Sequence, residues 1–463
     1  MTIFQNIPFD QLRPGMSAEA RRICRADDLY IFANTSGNLN PMHLPKEDGD
    51  GDGVPEAVAP AMWVAALISS VLGNELPGPG TLYRSQNLTW HNRTHAGDEL
   101  VIRVEVLELL PDNVVKLATS VSRSDGKPIC EGEAKVTAPS LSQTFEADEI
   151  PGLTVRRHVH FDAMIERAEP LDPMPTAVVV PEGAAFLGGA ILGWEHTLIT
   201  PILIGDDAVI RATAEEIGKD VSGLEIIHEP DHAQAARRGV ALVHDGRAAS
   251  VMKGNLHTDV LLGAIVKRDT GLRTGRRLSH VFVMDVPGLP HLLMITDAAI
   301  NIAPDLETKV DITQNAIDLA KALGIEVPKV GVLSAVETVN TKIPSTLDAA
   351  ILSKMAERGQ IRGGVVDGPL AMDNAIDMAA ARTKGIESDV AGRAEILIVP
   401  NLEAGNMLAK ELTFVAHAEA GGIVLGAKVP IILTSRADDD KARLASCAVA
   451  ALYNAHGKAV VGH

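Results

Sequence analysis

The stretch AEILIVPNLEAGNMLAKELTFVAHAEAGGIVLGAKVPIILTSRADDDKAR, residues 394–443, decides the reading of this chain. An apolar run ending at Pro400 opens into a polar loop, NLEAGN, followed by a helical pattern that carries Lys410. A second apolar run, PIILT, leads directly to Ser435 and Arg436 at the start of another helical stretch. Short apolar runs bounded by turn residues read as buried strands, and open α/β sheets place ligands outside the carboxyl ends of such strands. An amide, a hydroxyl, an arginine and glycines in those loops suit an anion or a developing oxyanion. The segment points to an enzyme.

Working outward, the same rhythm recurs upstream. TAVVV, LEIIH, VFVMD, LLMIT and KVGVL alternate with helical segments over residues 176–333, the pattern of βαβ units on a mostly parallel sheet. Before about residue 150 the grammar differs. PAMWVAALISSVLG (60–73) is apolar nearly all round and predicts a buried helix. ELVIRVEVLELL, NVVKLATSVSRSDG and KPICEGEAKVTAP then alternate in strand fashion with turns between them. Residues 139–160 are polar and Pro-interrupted and read as a linker.

Composition excludes several classes of partner. A net charge of −18 and an aromatic content of 3% disfavour nucleic acid. Positive charge is nonetheless gathered at Lys253, Lys267, Arg268, Arg273, Arg276 and Arg277, against only Asp259 and Asp269 within 253–277. Cys24, Cys130 and Cys447 form no CxxC pair, and the histidines lack ligand spacing, so no metal site is expected. EDGDGDG (47–53) opens like an EF-hand loop, but Ala59 stands where its bidentate carboxylate belongs, leaving a solvated acidic loop. No apolar run reaches the ~18 residues of a membrane helix, and the amino terminus lacks a signal-peptide pattern. A cytoplasmic protein without membrane contact is expected.

FANTSGNLNPMH (32–43), LPGPGTLY (76–83), LTW and AGDEL resemble the MaoC-like hydratases, a hotdog-fold family acting on enoyl-CoA thioesters. The resemblance assigns acid–base work to an Asp and a His. Here His43 is present but Asn38 stands at the Asp position, and an amide does not shuttle a proton near neutral pH. The family's His-Gly before the long helix reads Pro60-Ala61. Hydration by this unit is therefore doubtful, with acyl-CoA binding, dimerisation or a relic as the other readings.

The remainder resembles the phosphate acetyl/butyryltransferase family through MKGNLHTD (252–259), GLRTGRRLSHVFVMDVP (271–287), ITDAAINIAP (295–304), LSAVETVN (333–340), RGQIRGGVVDGPLAMDNA (358–375), KGIESDVAG (384–392), PNLEAGNMLAK (400–410) and PIILTSRAD (430–438). Together the halves resemble bifunctional enoyl-CoA hydratase/phosphate acetyltransferase proteins. The resemblance implies reversible transfer of an acyl group, acetyl to butyryl, between phosphate and CoA. CoA would be a substrate, with no cofactor. It implies Ser435 and Arg436 as catalytic residues, and Thr258, Arg273, Arg277, Asn301, Lys384, Asn406 and Lys410 as substrate-binding residues. Ser435 also reads as a cap of the last helix. The helper Asp of the acetyltransferase branch is Ala442 here, with Asp438, Asp439 or Asp440 as replacements. An arginine of that branch is Ala264, which leaves phosphate to Arg273 or Arg277. Asp297, Asp367 and Asp373 read as structural partners of loop amides.

The expected architecture is an α+β hotdog domain, 1–148, followed by an α/β two-lobed transferase, 149–463, with mostly parallel sheets. Lobe one would comprise 155–284 and 429–463, and lobe two 285–428, with CoA and acyl phosphate in the cleft between them. A homo-oligomer is expected. The rival readings are a fully bifunctional enzyme and an acyl-CoA-sensing regulatory or scaffold protein.

Overall fold

The structure is a computed structural model that describes residues 3–44, 57–146, 155, 158–433 and 439–461. The chain divides into a unit Met1–Val155 and a unit Arg156–His463. The acidic run 47–53 lies outside the described residues.

In the first unit, β1 (Ile3–Gln5) pairs antiparallel with β7 (Thr144–Glu146), so part of the expected linker is a strand. A five-stranded antiparallel sheet is built from β2 (Ser17–Ile23), β3 (Leu82–Trp90), β4 (Glu99–Leu110), β5 (Val114–Arg123) and β6 (Pro128–Thr137) in the order β2-β4-β5-β6-β3. Alternation along β4 and β5 sends Leu100, Ile102, Val104, Leu117 and Val121 to one face. That face packs on the helix Ala61–Asn74 through Trp63, Val64, Ile68, Val71 and Leu72. The result is a long buried helix laid on an antiparallel sheet, as the apolar pattern of 60–73 requires.

The second unit is organised by one 11-stranded sheet. In chain order its strands are β8 (Met174–Val179), β9 (Ile199–Gly205), β10 (Glu225–His228), β11 (Ser250–Lys253), β12 (Ser279–Asp285), β13 (Leu293–Thr296), β14 (Lys329–Leu333), β15 (Val365–Leu370), β16 (Ile396–Ile398), β17 (Glu419–Leu425) and β18 (Ile431–Ile432). They lie in the order β10-β9-β8-β11-β18-β17-β12-β13-β16-β14-β15. From β10 to β18 the neighbours are parallel, as they are from β13 to β15. The two parallel blocks are joined by antiparallel pairing of β18 with β17, β17 with β12, and β12 with β13. The expected lobes thus share a single sheet, with β12 carrying the chain from one block to the other. Continuous burial of β11, β13 and most of β8 follows from helices covering both faces. Asp206, Asp231, Asp305 and Asn401 cap the helices that begin beside them by accepting backbone N–H bonds.

His280 on β12 is 2% exposed and its ring meets Phe282 edge-on at 4.4 Å. Burial pushes its imidazole down to about 4, against the opposing pull of the Asp297 carboxylate. The native protein therefore holds His280 neutral while the unfolded chain takes up a proton near pH 6.5. Stability is fully present above pH 6.5 and is lost as the pH falls from there towards 4. In urea titrations across this window, wild type should lose about 3 kcal/mol more than His280→Asn. Parallel profiles for the two proteins would show that His280 is not the group responsible.

Candidate functional site

The strand order reverses between β8 and β11. From β8 the chain moves outward to β9 and β10, and it then returns to place β11 on the other side of β8. The connections from β8 and β11 consequently run on to opposite sides of this point, and the carboxyl ends of such strands are where open α/β sheets have their ligand crevice. The loop after β8 contains Glu182 and Gly183, and the loop after β11 contains Gly254 and Asn255. Gly254 N–H donates to the Val179 carbonyl at 2.8 Å and Asn255 N–H to that of Val180 at 2.6 Å. A Cβ at position 254 would overlap both carbonyl oxygens, so only glycine permits this approach. The Asn255 amide side chain donates to the Glu182 carbonyl at 2.8 Å and ties the two loops together. Glu182 Oε1 accepts from Asp206 N–H at 2.8 Å, and its Oε2 lies 3.5 Å from His232 Nε2.

Two helices start at this crevice without a side-chain cap: Ala184–Glu195 after Gly183, and Thr258–Ile265 after His257. Their first N–H groups point outward and favour negative charge. Thr258 is the first residue of the second helix. The register pairs Val251 with Ile431 and Met252 with Ile432, so the end of β11 lies beside the end of β18. Residues 434–438 follow β18. Ser435, Arg436 and Asp438 lie outside the described residues.

Beyond them the last helix, Asp440–Val461, begins. Its cap is Asp439, whose carboxylate accepts from Ala442 N–H at 2.8 Å. This corrects the assignment of that cap to Ser435: the carboxylate next to the first turn reaches the free amide. Asp439 is therefore engaged, the Asp440 side chain is 80% exposed, and Ala442 is buried. A different carboxylate stands at this end of the sheet. Glu419, at the start of β17, lies 2.9 Å from both Lys441 Nζ and His158 Nδ1. Burial raises its carboxyl above the ordinary value, with Lys441 pulling the other way.

The remaining expected residues gather at the opposite end of the sheet. Antiparallel pairing sets the start of β12 beside the ends of β13 and β17. Arg273 bridges to Ala427 there. Arg277 N–H donates to Asp311 at 2.9 Å, and Arg276 pairs with Asp318 at 2.5 Å. Asn301 Nδ2 donates to the Leu278 carbonyl at 2.8 Å and to Asp297 Oδ2 at 2.6 Å. Asp297 also accepts from the backbone of Ala299, Ile300 and Asn301, the structural role read for it in the sequence. Asn406 Nδ2 donates to the Ala298 carbonyl at 3.2 Å, and exposed Lys410 stands one turn further along the helix Leu402–Phe414.

Lys384 pairs with Glu337 at 3.2 Å and Asp373 at 3.3 Å beyond β14 and β15. Asp367 accepts from Gly368 N–H at 2.8 Å and from Ser388 Oγ. The cationic stretch 253–277 is thus divided. Lys253 stays at the crevice, and Arg273, Arg276 and Arg277 lie at the other end, beyond the helix Thr258–Ile265.

In the first unit, His43 Nδ1 meets the Val58 carbonyl at 2.7 Å, so this ring nitrogen serves a local contact. Asn38 Oδ1 accepts from Asn40 N–H at 3.3 Å within its own turn. Among the described residues no group of three His, Cys, Asp or Glu could hold a metal ion.

Sequence reasoning passed over Glu182 and Asn255, and it counted Lys253 only as one cation among several. The available signals were an acid in the turn VVVPEGAA and a lysine closing an apolar run, ASVMKGN.

Residues 231–451 match the family model described as phosphate acetyl/butaryl transferase. The phosphate acetyltransferase of Rhizobium meliloti is 60% identical over 299 residues, covering 65% of this chain and 95% of its own. The solved branched-chain phosphotransacylase from Enterococcus faecalis V583 is 30% identical and covers 61% of this chain and 99% of its own, with a TM-score of 0.54. The R-hydratase PhaJ1 from Pseudomonas aeruginosa is 37% identical, covering 34% of this chain and 100% of its own, with a TM-score of 0.32. With nearly the whole length of the first of these relatives covered at 60% identity, the chain belongs to the phosphate acetyl/butyryltransferase family.

Proposed function

We propose that the second unit catalyses reversible transfer of an acyl group between acyl phosphate and CoA, yielding acyl-CoA and phosphate. The observation that carries this reading is the family match, whose span of residues 231–451 includes both the loop after β11 and the segment after β18. Those two segments leave neighbouring strands at the topological switch point.

The chemistry sets three requirements. A thiol of pKa near ~8.5 needs a positive field or a base to become the attacking thiolate. The tetrahedral oxyanion needs fixed donors, and the departing phosphate needs cations. Ser435 and Arg436 are assigned to the thiol and the phosphoryl or carbonyl oxygen, with Thr258 at the neighbouring helix start. Arginine suits the phosphate because its planar fork gives paired hydrogen bonds. Arg273, Arg277, Asn301, Lys384, Asn406 and Lys410 are assigned to substrate binding away from the reacting bond, since the sheet sets them apart from Thr258. The acyl range is acetyl to butyryl, and CoA enters as a substrate.

Self-association is proposed through the first unit, where β3 is a sheet edge with Leu82, Tyr83 and Trp90 exposed. A monomer in sedimentation equilibrium would refute it. No helix of the described residues is long and apolar enough to cross a membrane.

Purified protein supplied with CoA and acetyl, propionyl or butyryl phosphate should form the matching acyl-CoA. Ser435→Ala should lower kcat at least about 100-fold while the protein stays folded. Binding of acyl-CoA with no consumption of any acyl phosphate would favour the sensor reading instead. Wild-type turnover in Ser435→Ala would refute the assignment of Ser435 alone.

For the first unit, Asn38 stands where the resemblance calls for an acid, so crotonyl-CoA should not be hydrated. Hydration by wild type that disappears in His43→Ala would establish a bifunctional enzyme.

A further inference from the structure

The last helix, Asp440–Val461, is seated on β17 by two glycines and a serine. A Cβ at Gly421 would come within 3.3 Å of the Ser446 backbone nitrogen, so the bare strand lets the helix lie close. Gly422 N–H donates to Ser446 Oγ at 3.0 Å, and that hydroxyl donates to the Ala442 carbonyl at 2.8 Å. The first turn of the helix is held separately. Lys441 Nζ lies 2.9 Å from Glu419 Oε2 and 3.5 Å from Asp162 Oδ1. Glu419 Oε1 lies 2.9 Å from His158 Nδ1, at the cap position of the helix Val159–Ala168. The Glu419 side chain is 18% exposed and that of Lys441 35%, so water and salt screen this pair less than a surface one.

The pair also stands at the right end of the sheet. Antiparallel register of Ile423 with Ile432 sets the start of β17 at the same end as the carboxyl end of β18. Asp439, the cap of the last helix, is three residues after Arg436 in the chain, a span of at most about 11 Å. The place of the helix start therefore limits the reach of the two residues assigned to catalysis.

We infer that Glu419 is a positioning residue for the acyl transfer, fixing through Lys441 the helix start that Ser435 and Arg436 precede in the chain. The inference rests on the acyltransferase reading and on its assignment of that pair. Both carboxylate oxygens of Glu419 are engaged, by Lys441 and His158, so the thiol proton is not assigned to it.

Glu419 holds Lys441 as an anion. Burial raises its carboxyl above the ordinary range; Lys441 and His158 oppose this, and Asp439 adds to it. Asp285 occupies the paired position on β12, and Asp162 faces Lys441 from the helix Val159–Ala168. As pH falls, protonation of Glu419 releases Lys441, and kcat falls with it.

The experiment measures kcat, KM for CoA and KM for acetyl phosphate in wild type, Glu419→Gln, Lys441→Met and the double variant, with circular dichroism to check folding. Each single change should lower kcat about 10-fold and leave both KM values within about twofold. The double variant should be no slower than the slower single, because the two side chains act as one unit. Lys441→Arg, which keeps the charge, should retain kcat within about threefold of wild type. Below neutrality wild-type kcat should fall more steeply than that of Glu419→Gln.

Wild-type kcat in a folded single variant would overturn the inference. So would losses that multiply in the double variant, or parallel pH profiles for wild type and Glu419→Gln. Lys441 is partly exposed, so Lys441→Met decides alone should Glu419→Gln fail to fold. A wild type that consumes no acyl phosphate would instead defeat the acyltransferase reading itself.

Discussion

The carbonyl oxygens of Val179 and Val180 occupy the space into which any side chain at position 254 would project. Because position 254 is glycine, the loops leaving β8 and β11 bond to each other directly through Gly254 and Asn255. The rest of the crevice depends on that closeness. It sets the end of β11 against the first turn of the helix Ala184–Glu195, and the register of β11 with β18 brings the end of β18 alongside. A larger residue at 254 would part the loops leaving β8 and β11.

The sheet distributes charge along its length. Two parallel blocks point in opposite directions because the three antiparallel pairings between β18 and β13 reverse the chain. One end consequently holds Lys253, Thr258 and the start of the last helix. The other holds Arg273, Arg277, Asn301 and Asn406, where Arg277 bonds Asp311 and Asn301 bonds Leu278 and Asp297. In a chain of net charge −18, such local gathering is what allows a small anion to bind while extended polyanions are repelled.

Much of the second unit could be read from its apolar runs, since strands buried on both faces lose the alternation that marks a half-exposed strand. TAVVV, VFVMD, LLMIT and KVGVL were legible for that reason. β9 was not, because Pro201 interrupts ITPILIG, and β15 was not, because Asp367, Gly368 and Pro369 break its run. Strand direction was beyond local reading. The partner of β12 is β17, which comes more than a hundred residues later, and only that pairing shows that Arg277 and Thr258 lie at opposite ends. The cap of the last helix was misread by four residues, since three consecutive aspartates offer competing starts and geometry selects Asp439. Asn38 and His43 were visible as a motif, and the structure adds only their local hydrogen bonds.

The central claim is direct exchange of phosphate for CoA on one acyl group at this crevice. Isotope exchange tests it most directly. Wild-type protein incubated with unlabelled acetyl phosphate and ³²P-labelled inorganic phosphate should move label into acetyl phosphate only when CoA is present. Exchange that proceeds equally without CoA, or its absence with CoA supplied, would contradict the account.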